Sequence, residues 1–228
     1  MDISKKTARS VGILYIIGTV SGILSMIFLP AAMDAPEAWI QAAGNSSRTV
    51  TGSLFILLMG FALALVPVML FPILKRYNER IAMGYVVFRG GLETALYIAT
   101  AVSWVLLVTV GEMQAMADMP QALGSLVLHA QEWMDPMVVM VFILGAWMFY
   151  GLLYRTRLIP RWISGWGLLA SIPYILAGFL GLYGLIQPMA PVQVMMYLPL
   201  AVQEMVMAVW LIVKGFNPEV LAVRSKAA

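Results

Sequence analysis

The chain has 228 residues, of which 62% are hydrophobic and 11% charged, with a mean hydropathy of +0.90 and a formal net charge of +3. A soluble domain is nearer half apolar and a quarter charged, so this composition specifies an integral membrane protein, with room for about six spans of roughly 20 residues and no separate soluble domain. There is no cysteine and one histidine, His129, which excludes disulfides, thiolate metal sites, cysteine nucleophiles, an all-histidine zinc site and a bis-histidine haem.

Apolar runs at Val11–Leu29, Val50–Leu74, Ile81–Val110, Met137–Tyr154, Trp162–Ile186 and Val194–Val213 predict six transmembrane helices, an all-α bundle forming one domain over residues 1–228. The first run follows a basic leader, "MDISKKTARS", but is too long for the core of a signal peptide and is read as a retained span. Its Gly18 and Gly22 have the four-residue spacing that lets helix backbones approach closely in lipid, a spacing that Ala177 and Gly181 repeat in the fifth run. After it, "DAPEAWIQAAG" has an Asp cap, an early Pro and a terminal Gly, the marks of a short helix. Pro67 and Pro72 in the second run, Pro173 in the fifth and Pro199 in the sixth each free a backbone carbonyl, for a kink or for the lining of a wet cavity.

The third run carries an anomaly, "VVFRGGLETALYIATA". At about 1.5 Å per residue from Arg80, Arg89 lies roughly 13 Å deep and Glu93 roughly 20 Å. Each such residue costs about 2.5 to 3.5 kcal/mol at the centre of a spanning helix. An Arg-to-Glu pair four apart on one helix returns only about 0.2 to 0.5 kcal/mol in water, and this order is the less favourable one. A partner from elsewhere is needed. The sixth run provides Glu204, ten residues before Lys214 and so about 15 Å from that surface. Arg89 is therefore expected to reach Glu204 or Glu93 across a helix interface, with Gln203, Thr94, Tyr97 and Ser103 completing the hydrogen bonding. Two carboxylates around one guanidinium leave a surplus negative charge, which a bound proton or cation would neutralise.

Between the third and fourth runs, "MPQALGSLVLHAQEWMDP" is bounded by prolines and has Leu123, Leu126, Val127 and Ala130 at helical spacing, predicting a second short helix on the outer face. Around it Met113, Met116 and Met119 recur every three residues, as do Met134, Met137 and Met140. Thioethers are ligands for Cu(I) or Ag(I), so Met113, Met116 and Met119 with His129 form a candidate metal site; as adaptable packing residues they have a plainer explanation. His129 itself reads as an interfacial residue. Trp162, Trp166 and Trp210 beside basic segments read as interfacial anchors.

Twelve of the 14 Lys and Arg residues fall before the first run, between the second and third, between the fourth and fifth, and after the sixth. The positive-inside rule then places both termini in the cytoplasm and Arg48 outside. The charge balance signals topology, and nothing points to nucleic acid. No buried lysine suits a retinal Schiff base, no strand precedes a phosphate loop, and no serine sits in a nucleophile setting. Two three-helix halves would place Glu93 and Glu204 in equivalent third helices, although the halves share no sequence self-similarity.

The segments "KKTARSVGILYIIGTVSGIL", "FRGGLETALY", "YGLLYRTRLIPRWISGWGLLA" and "QEMVMAVWLIVKGF" resemble a bacterial membrane-protein family catalogued as a domain of unknown function, number forty-three eighty-six. The resemblance covers nearly the whole chain and implies a multi-pass protein of the bacterial inner membrane, without a substrate, reaction or catalytic residue to carry over. From the residues, the expected role is non-enzymatic: binding or transport of a proton, an ion or a polar or cationic small molecule at Arg89, Glu93, Glu204, Gln203, Thr94 and Tyr97. The alternative is an accessory subunit whose charges only lock helix packing and which meets a second copy or another membrane partner. A lipid-directed enzyme would require a lateral opening that exposes the carboxylates to the bilayer. No cofactor is expected apart from the Cu(I) option.

Overall fold

A computed structural model describes residues 3–29, 40, 42, 44–113 and 119–225, except for the side chains of residues 3, 119–121 and 223–225. Among the described residues there is helix and no strand. Six helices are long and apolar enough to cross a membrane: α1 (Ile3–Phe28), α2 (Ser46–Leu74), α3 (Glu79–Glu112), α4 (Met119–Thr156), α5 (Arg161–Leu182) and α6 (Pro191–Val213). A short α7 (Pro218–Ser225) follows.

Each of the six packs on its neighbours in sequence, and α6 returns to pack on α1, closing a ring. The contacts are made where a side chain is missing. A Cβ on Gly18 or Gly22 of α1 would lie 2.8 Å from Leu63 or 2.9 Å from Met59 of α2. Gly12 of α1 faces the Ala208 carbonyl and Ile212 of α6, and Gly178 of α5 faces Val139 and Met140 of α4. Lipid offers apolar side chains no reason to leave it, so close backbone approach supplies the dispersion contacts that hold such a ring. Val50, Leu54, Leu58, Phe61, Leu65 and Val68 lie exposed along α2, as a bundle facing lipid requires. The centre is filled by Tyr15, Val66, Leu70, Tyr85, Ile143, Phe149 and Tyr150.

The helices run unbroken through Pro67, Pro72, Pro136, Pro173 and Pro199. The expected short helix over 119–136 is not a separate element: it is continuous with the fourth span, making α4 38 residues long. Pro136 does not end it, since a proline's missing N–H and its ring disturb only the preceding turn; a Cβ on Gly181 of α5 would lie 3.8 Å from Pro136. The other expected short helix, 34–44, lies mostly outside the described residues. The fifth helix ends at Leu182, before the run of apolar residues does, because Gly184 (φ 65°) and Met189 (φ 62°) turn the chain in the left-handed region.

The basic segments gather at one end of the ring. Gly215 sits over Ala8 of α1, the Asn217 amide donates to the Leu158 carbonyl (2.8 Å), and the Tyr77 hydroxyl donates to the Val220 carbonyl (3.2 Å). Those contacts join α1, the connection 75–78, the connection 157–160 and α7 in one cap.

Candidate functional site

The third span is not α-helical throughout. Residues Val86–Leu92, "VVFRGGL", form a π-helical stretch between α-helical Glu79–Tyr85 and Glu93–Glu112. A π turn accommodates an extra residue and weakens the ladder locally, and such turns recur at functional sites. Three small or fixed residues make room for it here. Gly90 lies against Pro67 and the Ala64 carbonyl of α2, while Gly145 of α4 leaves space for the Arg89 backbone, 3.4 Å from where its own Cβ would be.

From this stretch Arg89 points into the ring, 3% exposed. Its Nη1 donates to Glu93 Oε1 at 3.0 Å and Oε2 at 3.2 Å, and its Nη2 donates to Glu204 Oε1 of α6 at 3.2 Å. Glu93 is fully buried; Glu204 retains 16% exposure. The Tyr97 hydroxyl donates to Glu93 Oε1 at 2.9 Å, and the Tyr150 hydroxyl neighbours the Glu204 carboxylate. The guanidinium carbon lies 4.5 Å from the Phe142 ring centre and 6.0 Å from that of Tyr15, and its Nε–H has no acceptor among the described residues. These are the two ion pairs among the described residues, and they share one cation.

The structure thus brings together Arg89, Glu93, Glu204 and Tyr97. Gln203 faces the other way: buried, it donates to the Ile163 carbonyl at 3.0 Å and ties α6 to the start of α5. Thr94 is buried without a hydrogen bond to the three charges. Ser103 lies further along α3, accepting from Gln131 of α4 at 2.8 Å. Sequence reasoning did not single out Tyr15, Phe142 or Tyr150; aromatic residues are common in such helices, and only the helix phase reveals which ones face a charge.

A second polar group lies nearer the other end. Asp135 Oδ2 of α4 accepts from Gln193 Nε2 (2.9 Å) and from the Tyr197 hydroxyl (3.1 Å) of α6. Rings connect it to the charge cluster. Tyr197 packs on Tyr174 with centroids 4.5 Å apart, Tyr174 packs on Phe142 at 5.0 Å, and Phe142 lies under Arg89. Asp135 and Gln193 also line a cavity of about 240 Å³ with Glu132, Trp133 and Gln187.

Of the candidate metal residues, Met113 is exposed at the end of α3, Met116 lies outside the described residues, and Met119 begins α4. His129 stands ten residues further along α4, about 15 Å away, where its Nδ1 is 2.7 Å from the Ser125 carbonyl oxygen. Met134 instead accepts from the Thr100 hydroxyl (3.4 Å) and Met140 packs on Gly178.

A ring of six membrane-length helices around buried charges defines a polytopic helical membrane protein. The chain belongs to the family described as a domain of unknown function (DUF4386), whose model matches residues 10–215. Comparison with curated proteins and with solved structures gives no match.

Proposed function

We propose that this is a non-enzymatic binding or transport protein of the bacterial inner membrane, both termini cytoplasmic, in which Glu93 and Glu204 hold a proton or meet a cationic small molecule while Arg89 sets their charge. The observation that supports it is the surplus of acid: two carboxylates share one guanidinium inside the ring. A network intended only to lock helices is cheapest when its charges cancel, because each uncompensated charge carries its own desolvation penalty. A third charge that can be neutralised reversibly is what a proton or cation carrier needs. The π turn at the arginine and the residual exposure of Glu204 agree with a site that exchanges its occupant.

Proteoliposomes test the reading directly. Under an imposed membrane potential, the wild-type chain should pass protons faster than protein-free vesicles. Glu93→Gln and Glu204→Gln should fall to the protein-free rate while unfolding near the wild-type temperature. Wild-type flux equal to that of empty vesicles rejects proton movement, and a flux lost only together with stability assigns the charges to packing.

The alternative, an accessory subunit whose charges lock the ring, has a specific observation in its favour. Phe142, Tyr15 and Gly145 close around Arg89, and cavities of about 610, 500 and 620 Å³ among the described residues are lined by other side chains. In that case Glu-to-Gln changes lower stability, and no flux accompanies the wild type.

A further inference from the structure

The basic end of the ring contains a cavity of about 610 Å³ between the connection 157–160, the end of α6 and the start of α7. Arg157, Arg161 and Lys214 line it, all exposed, and no carboxylate lines it or pairs with them among the described residues. Arg157 adopts φ 59°, a left-handed conformation that a side chain adopts at a cost and that clusters at ligand clamps. Helix α5 starts at the same wall with Pro160 as its N-cap and no side-chain cap, so its first amides add positive potential.

A second cavity, of about 620 Å³, starts where the first ends. It is a groove on the flank of α6, lined by Thr19, Ala201, Met205, Val206, Val209 and Val213 among others, and it shares Trp210 and Lys214 with the basic cavity. The wall is almost wholly apolar. The pair of cavities therefore has a cationic head and an apolar tail meeting at an indole and an ammonium, the side chains that sit at the level of lipid headgroups.

We infer that this composite site binds an anionic phospholipid, its phosphate among Arg157, Arg161 and Lys214 and one acyl chain along the groove of α6. Basic pockets between helices bind anionic headgroups by charge; the adjoining groove adds a chain contact that a soluble phosphate ester lacks. The site is independent of the role assigned to Arg89, Glu93 and Glu204, which line neither cavity.

Native mass spectrometry of the full chain in detergent, with equal amounts of dioleoylphosphatidylglycerol and dioleoylphosphatidylcholine, reads the retained lipid. Phosphatidylglycerol should be retained in preference, and each of Arg157→Gln, Arg161→Gln and Lys214→Gln should weaken it about fivefold. Arg157→Gly removes the charge while suiting the backbone, so it should lose lipid without losing stability. Val209→Trp, which fills the groove from an exposed position, should lower retention with the charges intact. A control carrying Lys75→Gln, Arg76→Gln and Arg80→Gln, basic residues outside both cavities, should retain lipid as the wild type does. Equal retention of the two lipids, or equal loss in the control, overturns the proposal in favour of general surface charge. Stabilisation by inorganic phosphate that matches that of the lipid, with no effect of Val209→Trp, overturns it in favour of a soluble phosphate ester.

Discussion

One guanidinium serves two acids here, so the three side chains are not equivalent to remove. Arg89→Gln leaves both Glu93 and Glu204 without their cation in the centre of the ring, and breaking a buried pair in this way costs about 3–5 kcal/mol. Unfolding in detergent should show a loss of that order, and the double change Arg89→Gln with Glu93→Gln should recover part of it. Tyr97→Phe deletes one donor to Glu93 at 2.9 Å; a hydrogen bond to a charged group is worth about 1.5–3 kcal/mol, so a smaller drop is expected from the same measurement. The charged residues were legible in the sequence because insertion energies make any ion deep in an apolar run conspicuous. Their aromatic neighbours were not: Phe142 and Tyr150 differ from exposed rings such as Phe61, Trp147 and Phe179 only in the direction they point.

At the scale of the helix, the π turn decides what Arg89 can reach. Gly90 and Gly91 look alike in the sequence but do different things in the structure. A Cβ on Gly91 meets open space, while one on Gly90 meets Pro67 at 3.3 Å. Gly91→Ala should therefore be neutral or stabilising by up to about 1 kcal/mol through helix propensity, and Gly90→Val should push α3 from α2 and lower the unfolding temperature. Gly12→Leu should do the same at the contact between α1 and α6, where a Cβ would lie 2.5 Å from the Ala208 carbonyl oxygen. The apolar runs reveal that helices form, because their length is fixed by the bilayer. The π stretch left no such trace, since its arginine and glycine pair mark a buried charge and a close contact without specifying a change of helix type. The continuity of 119–136 with the fourth span is hidden in the sequence for a related reason: Pro136 and the polar residues before it read as a break, yet the helix runs through them.

For the whole molecule, closure of the ring depends on α6 meeting α1 and on the cap that α7 places at the basic end. Removing α7 takes away the Tyr77 contact to Val220 and the packing of Val220 and Leu221 on the core. Circular dichroism with heating should then show a lower transition with the helical signal nearly intact. The cap was not legible, because a short amphipathic end segment of mixed composition resembles any solvated tail. The charge asymmetry of the loops was legible, and it matches the gathering of the connections at a common end.

Helix α4 is 38 residues long, about 57 Å, against a hydrocarbon layer of about 30 Å. A rod of that size must lean steeply or project well clear of the lipid. Gly145, the residue moulded to Arg89, lies near the middle of residues 137–154, and the helix continues from there through Pro136 to its start. The rod is held against α3 at both levels, by Gln131 on Ser103 and by Gly145 on Arg89, so its lean is fixed by packing as well as by the bilayer.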